Sequence, residues 1–241
     1  MQRQWYAIDT PLALAETHRS TIRITTPMAK MLSGMRKSYE KDELDDDSVL
    51  LNPMDEFDRW FEEVRQTDVP EANAMIVSTV DREGHPSART VLLKAYDADG
   101  FIFYTNYESQ KGREIEANPA VALTFYWPTL ERQVRITGVA ARTSPEQSDA
   151  YFASRPIGSQ IGAVVSPQSQ VIPDRDYLIE RTALLRAEHE AGKAIVRPDH
   201  WGGYRVMPST IEFWQGRPDR LHDRLRYRRV DGRWIVERLA P

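Results

Sequence analysis

With 241 residues, 41% of them hydrophobic and 10% aromatic, the chain can bury a full core as one large domain or one domain with an extension. A formal charge of −4 and an isoelectric point near 5.8 suit a general polyanion binder poorly, and the lack of cysteine removes disulfides, thiolate nucleophiles and zinc-thiolate sites together. The scattered histidines show no HxxxH spacing, which argues against a metal site; with no stretch apolar enough for a signal peptide or membrane span, a cytoplasmic protein is expected.

Residues 1–48 read as an arm: they are polar, weakly periodic, and end in the acidic run EKDELDDD, which repels itself unless solvated. Residues 49–241 read as the folded domain. PMDEFDRWFEEVRQT places Met54, Phe57, Trp60, Phe61 and Val64 on one helical face, with Pro53 in the first turn. After Ala74 come short β-branched and aromatic runs joined by tight turns: AMIVSTV, DREGH, SARTVLLKAYD, DADG and FIFYTN, an antiparallel meander. A short helix is predicted at SQKGREIEANP, closed by Asn118-Pro119, before strands resume at AVALTFYW and RQVRITGVAART. Ser144, Pro145 and Gln147 supply an N-cap, a first-turn proline and a capping-box glutamine ahead of SDAYFASR. A longer helix runs from an Asp174 cap to a Gly192 stop, and the heptad pairs Leu178/Leu185 and Tyr177/Leu184 mark it as a packing helix. Strands return at GGYRV, STIEFWQG, RLHDRLRYRRV and, after an Asp231-Gly232 turn, RWIVERLAP. Closely spaced antiparallel strands with helices at the connections predict a mainly β, α+β fold closed into a small barrel, since closure removes exposed edges.

Three cationic sets stand out. Gly216 to Arg229 holds six arginines in an otherwise acidic chain. If this stretch is one strand, Arg220, His222, Arg224, Arg226 and Arg228 share a face, opposite Leu221, Asp223, Leu225 and Tyr227. Such a face is either an anion site or a solvated surface whose arginines pair with neighbouring carboxylates. In the second set, Arg89 and Lys94 bracket TVLL, and Lys111 and Arg113 open the helix after FYTNYES. Arg89 and Lys94 differ in parity, so reaching one ligand requires a bulge or a strand end between them; the helix start near Ser109 adds free N–H groups suited to a phosphate. In the third, Tyr151, Arg155 and Ser159 recur every four residues, although Pro156 must break a helix there. No glycine-rich phosphate loop occurs, so side chains must carry any recognition of a phosphate ester.

These residues resemble the pyridoxamine 5'-phosphate oxidases, which use FMN. RTVLLK, FYTNYESQKG, LERQV, YFASRP, SQIGAVVSPQSQ, WGGYRV, IEFWQGRPDRLHDR and ERLAP occur in that family's order from Asn52 to Pro241. The resemblance implies an antiparallel FMN-binding split β-barrel, homodimeric, with the flavin in clefts between subunits. By matched position, Arg89, Thr90, Val91, Leu92, Leu93, Lys94, Tyr104, Thr105, Gln110, Lys111, Gln133, Gln168, Ser169, Trp201 and Arg224 would line the FMN site, Arg89 and Lys111 at the phosphate and Gln133, Gln168 and Trp201 near the ring. Lys94, Tyr151, Arg155 and Ser159 would surround the substrate phosphate, with the catalytic residues Arg220 and His222 over the pyridine and Arg36 and Tyr39 of the lid segment MRKSY closing above. The implied reaction converts pyridoxamine or pyridoxine 5'-phosphate to pyridoxal 5'-phosphate, with dioxygen as acceptor and hydrogen peroxide as product. It implies no metal, nucleic acid or membrane partner. Two positions depart from the family pattern: Gln110 stands where an arginine commonly precedes the lysine, and Ser38 where an acidic residue is frequent in the lid. Rival readings are a split-barrel flavin or deazaflavin oxidoreductase with another substrate, and a flavin- or pyridoxal phosphate-binding protein without turnover. A nucleic-acid module is disfavoured, because aromatic residues do not alternate with the terminal arginines.

Overall fold

An antiparallel sheet of nine strands, curled into a split barrel with five α-helices at its connections, forms the described part of the computed structural model, residues 38–45 and 48–241. The expected mainly β, α+β class is the one observed. Helix α1 (Pro53–Arg65) begins at Asn52, whose side chain accepts from the Met54 N–H, and Pro53 occupies the first turn, where no backbone donor is needed. Its apolar stripe plugs the curl of the sheet. Phe57 is fully buried and packs against Phe61, Tyr96, Phe101 and Phe125 at centroid distances of 4.9–5.6 Å; truncation there to alanine should cost about 3–5 kcal/mol.

Strands β1 (Ala74–Val80) and β2 (Pro86–Leu92) form a hairpin, followed by β3 (Ala95–Asp97) and β4 (Gly100–Asn106). SARTVLLKAYD is therefore two strands, and the break after Leu92 supplies the strand end that the unequal parity of Arg89 and Lys94 demanded. Helix α2 (Gln110–Ala117) is capped by Ser109, and β5 (Ala120–Trp127) and β6 (Arg132–Arg142) follow. Helix α3 (Pro145–Ser154) is capped by Ser144; past Pro156 a separate helix, α4 (Ile157–Val165), begins, which the sequence reading did not anticipate.

Helix α5 (Asp176–Glu190) starts where Asp174 accepts from the Tyr177 N–H, and Gly192 closes it at φ +95°. It buries no residue within the protomer, and Leu184 is 64% exposed. Its expected role as a packing helix therefore does not hold within this chain, where it leans on α4 without burying a side chain.

Strand β7 (Trp201–Gln215) unites two segments that read as separate strands, and it explains the split. One edge pairs with β6 from Tyr204 to Gln215; the other takes β4 against Trp201–Val206 and β8 (Asp223–Val230) against Thr210–Gln215. Pro208, which has no N–H to donate, sits between those two halves, beside a register shift at Thr137/Gly138. A Cβ at Gly138 would meet the Met207 carbonyl oxygen at 2.2 Å, so the close approach requires glycine. Strand β9 (Arg233–Arg238) completes the sheet against β8.

Two sequence expectations are corrected here. Strand β8 begins at Asp223, because Pro218 and the left-handed Asp219 and Arg220 (φ 55° and 63°) turn the chain first; Arg220 and His222 therefore do not share a strand face with Arg224. The acidic segment before residue 46 is not wholly solvated either. Leu44 is 4% exposed within the core, and Asp42 forms an ion pair with Arg132 at 2.6 Å.

Candidate functional site

A cleft of about 820 Å³ opens between β2, the start of α2 and the α3–α4 corner. Its lining brings together Arg89, Thr90, Val91, Leu92, Lys94, Tyr104, Thr105, Gln110, Lys111, Tyr151, Arg155, Ser159, Gln168, Ser169 and Trp201. Four of its residues are cationic and none is acidic, in a chain of net charge −4. A hollow of about 900 Å³ on the other side of α2 carries both signs, Arg82, Arg113 and Arg142 against Asp81, Glu83, Glu108, Glu114, Glu116 and Asp199, and lacks this excess.

Glu114, one turn into α2 and 7% exposed, lies behind the cleft lining and organises the side chains of Ser87, Arg89 and Gln110. One carboxylate oxygen accepts from Thr79, from Ser87 at 2.6 Å and from Arg89 at 3.2 Å; the other accepts from Gln110 at 2.8 Å. Burial opposes its charge, yet hydrogen bonds from Ser87, Thr79 and Gln110, together with the Arg89 charge, outweigh that and hold its carboxyl below the usual range. Arg89 also donates to the Thr79 hydroxyl and to Ser87 Oγ at 2.6 Å, which aims the guanidinium.

Lys111 is 7% exposed and donates to two hydroxyls, Thr105 at 3.1 Å and Ser109 at 3.4 Å. Burial above all, and then the charge of Arg89, lower its pKa to about 8, with Glu114 only partly opposing. A buried ammonium neighboured by another cation is poised for an anionic ligand.

The upper wall is aromatic. Tyr104 stacks on Tyr151 at 3.8 Å, and Trp201 lies nearly parallel to both at 5.7 and 6.2 Å. Arg155, at the C-cap of α3, holds its guanidinium carbon 4.6 Å from the centre of the Trp201 ring. Its Nη1 is buried without a hydrogen-bond partner, and burial lowers its pKa. Although Pro156 ends the helix, Tyr151, Arg155 and Ser159 all reach this cleft, because the α3–α4 corner folds around it. Opposite, Gln168 accepts from Thr105 at 3.2 Å, and Ser169 turns at φ +68°.

The remaining expected residues lie elsewhere. Leu93 turns into the core, 4% exposed, and its N–H and carbonyl both bond Asn73. Gln133 pairs with Trp214 across β6 and β7, and Trp214 with Arg224 across β7 and β8. Beside them His222 packs against Trp214 at 4.6 Å and Tyr39 at 5.8 Å, its Nδ1 accepting from the Arg217 N–H. That bond leaves Nε2 as the protonated nitrogen of the neutral ring. Burial, then the Arg220 charge, lower the His222 pKa against the pull of Asp223. Arg224 donates to Glu212 at 2.9 Å and to the Ala240 carbonyl. Gln133, Arg220, His222 and Arg224 do not line the cleft of the same chain, and Arg36 lies outside the described residues. Glu114, which aims Arg89, is signalled in the sequence only by its i,i+4 spacing from Gln110.

Fold and cleft together define a split-barrel protein with a cation-lined, aromatic-walled ligand site. Residues 61–186 match the family model described as pyridoxamine 5'-phosphate oxidase, and residues 201–241 the model of the pyridoxine 5'-phosphate oxidase C-terminal dimerisation region. A pyridoxine/pyridoxamine 5'-phosphate oxidase of Bordetella petrii is 55% identical over 87% of this chain and 99% of its own. The protein of that name from Rubrobacter xylanophilus is 54% identical over 87% and 96%. Among solved structures, PhzG from Burkholderia lata, bound to tetrahydrophenazine-1-carboxylic acid, superposes with a TM-score of 0.78 at 31% identity, covering 83% of this chain and 98% of that one. A pyridoxamine 5'-phosphate oxidase-related, FMN-binding protein from Nostoc punctiforme, 18% identical with a TM-score of 0.64 over 80% of this chain and all of its own, shares the fold. The chain belongs to the pyridoxine/pyridoxamine 5'-phosphate oxidase family. No helix among the described residues is long and apolar enough to cross a membrane.

Proposed function

We propose that the chain is an FMN-dependent oxidase that converts pyridoxamine or pyridoxine 5'-phosphate to pyridoxal 5'-phosphate as a homodimer. The observation that carries this reading is the cleft with four cations and no carboxylate, holding a buried lysine and an orphaned arginine N–H beside stacked aromatic rings. Those residues fit a flavin phosphate and a phosphorylated substrate, because each buried donor lacks an anionic partner that a phosphate oxygen would supply.

Arg89, pre-aimed by Glu114, Thr79 and Ser87, and Lys111, next to the N-terminus of α2, would hold the FMN phosphate. Lys94, Tyr151, Arg155 and Ser159 would hold that of the substrate. Bound FMN would supply the two-electron chemistry, taking a hydride from the substrate carbon and reducing dioxygen to hydrogen peroxide; the alcohol would give the aldehyde directly, and the amine would give it on reaction with one water and release of ammonia. This chain's part is placement: Arg220 and His222 would orient the substrate, and the stacked wall would exclude water.

Homodimerisation accounts for the second cluster. Gln133, Arg220, His222 and Arg224 sit away from their own cleft, so a second copy would deliver them, in keeping with the match of residues 201–241 to a dimerisation region. The arm and barrel would then act as lid and body, with the boundary near residue 48. FMN should raise the melting temperature of the purified protein by mass action, and pyridoxamine 5'-phosphate should then trigger oxygen uptake. No FMN-dependent shift at saturating flavin would sink the reading; a flavin-bound protein that takes up oxygen only with a non-phosphorylated substrate would move the chain to a different oxidoreductase.

A further inference from the structure

We infer that Glu131 is a positioning residue: by gripping the backbone of residues 40 and 41 it fixes the Tyr39 ring against His222. The inference rests on the reading of Tyr39 and His222 as substrate-side residues given above.

Glu131 occupies the turn between β5 and β6, 2% exposed and at φ +55°, a left-handed conformation that residues other than glycine adopt only where the surroundings hold it. Its main chain is stitched to the end of β7, the carbonyl accepting from the Gly216 N–H at 2.8 Å. Its carboxylate points the other way, and Oε2 accepts from the Glu40 N–H at 2.9 Å and the Lys41 N–H at 3.2 Å. A buried carboxylate that takes two consecutive backbone donors from a segment 90 residues away is an anchor for that segment. The peptide it grips adjoins Tyr39, so the grip sets the direction in which that side chain leaves the backbone.

The ring itself has little latitude. It meets Trp214 edge-on at 5.9 Å and His222 at 5.8 Å, and a Cβ at Gly216 would come within 2.8 Å of Tyr39 Cγ. Further along, Asp223 accepts from the Leu44 N–H at 3.2 Å and Arg238 donates to the Leu44 carbonyl at 2.7 Å. These bonds hold the strap downstream, at residue 44, whereas Glu131 holds the peptide next to the ring.

The test compares Glu131→Ala, Glu131→Gln, Gly216→Ala and Tyr39→Ala in the full-length holoenzyme. Glutamine keeps an oxygen able to accept both N–H groups, whereas alanine does not. The first readout needs no turnover: the Cε1–H resonance of His222, assigned by its loss in His222→Asn, carries the ring-current shift of Tyr39. It should move alike in Tyr39→Ala, Glu131→Ala and Gly216→Ala and stay near its parent position in Glu131→Gln. The second is steady-state oxidation of pyridoxamine 5'-phosphate, where Glu131→Ala should lower kcat/KM by about tenfold or more with FMN retained, as misplacement of a positioning group does. Added to Tyr39→Ala, Glu131→Ala should cost nothing more, because both remove the same placement. An unmoved His222 resonance in Glu131→Ala, or losses in kcat/KM that add fully in the double variant, would overturn the inference. A parent protein without oxidase turnover would overturn the functional reading instead, while the resonance would still decide the placement of Tyr39.

Discussion

The cleft and the terminal strand both concentrate cations, and they do so in opposite ways. On β8 three of the four arginines are matched: Arg224 pairs with Glu212, while Arg226 and Arg228 share Glu237 at 2.6 and 2.9 Å. That double pairing pulls the Glu237 pKa down to about 2, with Arg228 and Arg226 as the main causes. In the cleft, Lys111 donates to the hydroxyls of Thr105 and Ser109, and Arg155 keeps a buried Nη1 without a partner. Charge density in the sequence therefore does not by itself tell a neutralised arginine from a charge left without a countercharge, which only burial and pairing reveal. The solvated reading of the terminal strand holds for Arg226 and Arg228.

The contrast breaks most sharply at Lys111. Lys111→Met should weaken FMN binding by about tenfold to a hundredfold, the worth of a charge-assisted hydrogen bond of about 1.5–3 kcal/mol, measured by flavin fluorescence titration. Retained affinity in a folded variant would mean that the phosphate sits elsewhere. Arg155→Ala should leave flavin content intact and raise KM for pyridoxamine 5'-phosphate by about tenfold or more, since the orphaned Nη1 would lose its substrate partner.

Titration sharpens the same comparison. The folded pKa of Lys111, about 8, lies below its ordinary 10.5, so between those values the unfolded chain holds the extra proton. This group therefore makes the apo-protein more stable as pH rises from 8 towards 10.5, a gain that Lys111→Met should lack in paired melting curves. A phosphate favours the charged form, so FMN affinity should fall as pH rises above 8, by up to about tenfold per unit. A flat affinity profile from pH 7.5 to 9.5 would separate Lys111 from the phosphate. Glu237, by contrast, is a depressed carboxylate whose stabilising pairs persist at neutral pH and fade only as pH falls towards 2.

Smaller effects should follow at Gln110 and on β8. Gln110→Arg should tighten FMN binding, but by less than the about 1.5–3 kcal/mol of a fully formed charged bond, because position 110 is exposed and faces Glu114. Arg226→Ala and Arg228→Ala should leave flavin retention and turnover near parent values, and comparison with Arg220→Ala, which should lose turnover, tests whether the stretch divides by role.

The amino-acid sequence by itself determined the local elements whose causes are local. The Asn52-Pro53 and Ser144-Pro145 helix starts, the α1 stripe and the alternation along β1, β5 and β6 follow from capping and from side-chain period, which act over a few residues. The family motifs marked most of the cleft for the same reason, as short contiguous runs. What only the tertiary structure decided are relations between distant residues. Whether an arginine is neutralised depends on Glu212 or Glu237 across a ladder, and whether a lysine is stranded depends on how deeply α2 docks. Asp219 and Arg220 enter left-handed turns that end the apparent strand face early, and Glu131 meets residues 40 and 41 only once the barrel has curled. Period and propensity report the conformation of a segment, whereas pairing and burial are set by which segments meet, and those meetings span about 90 residues at Glu131 and Lys41.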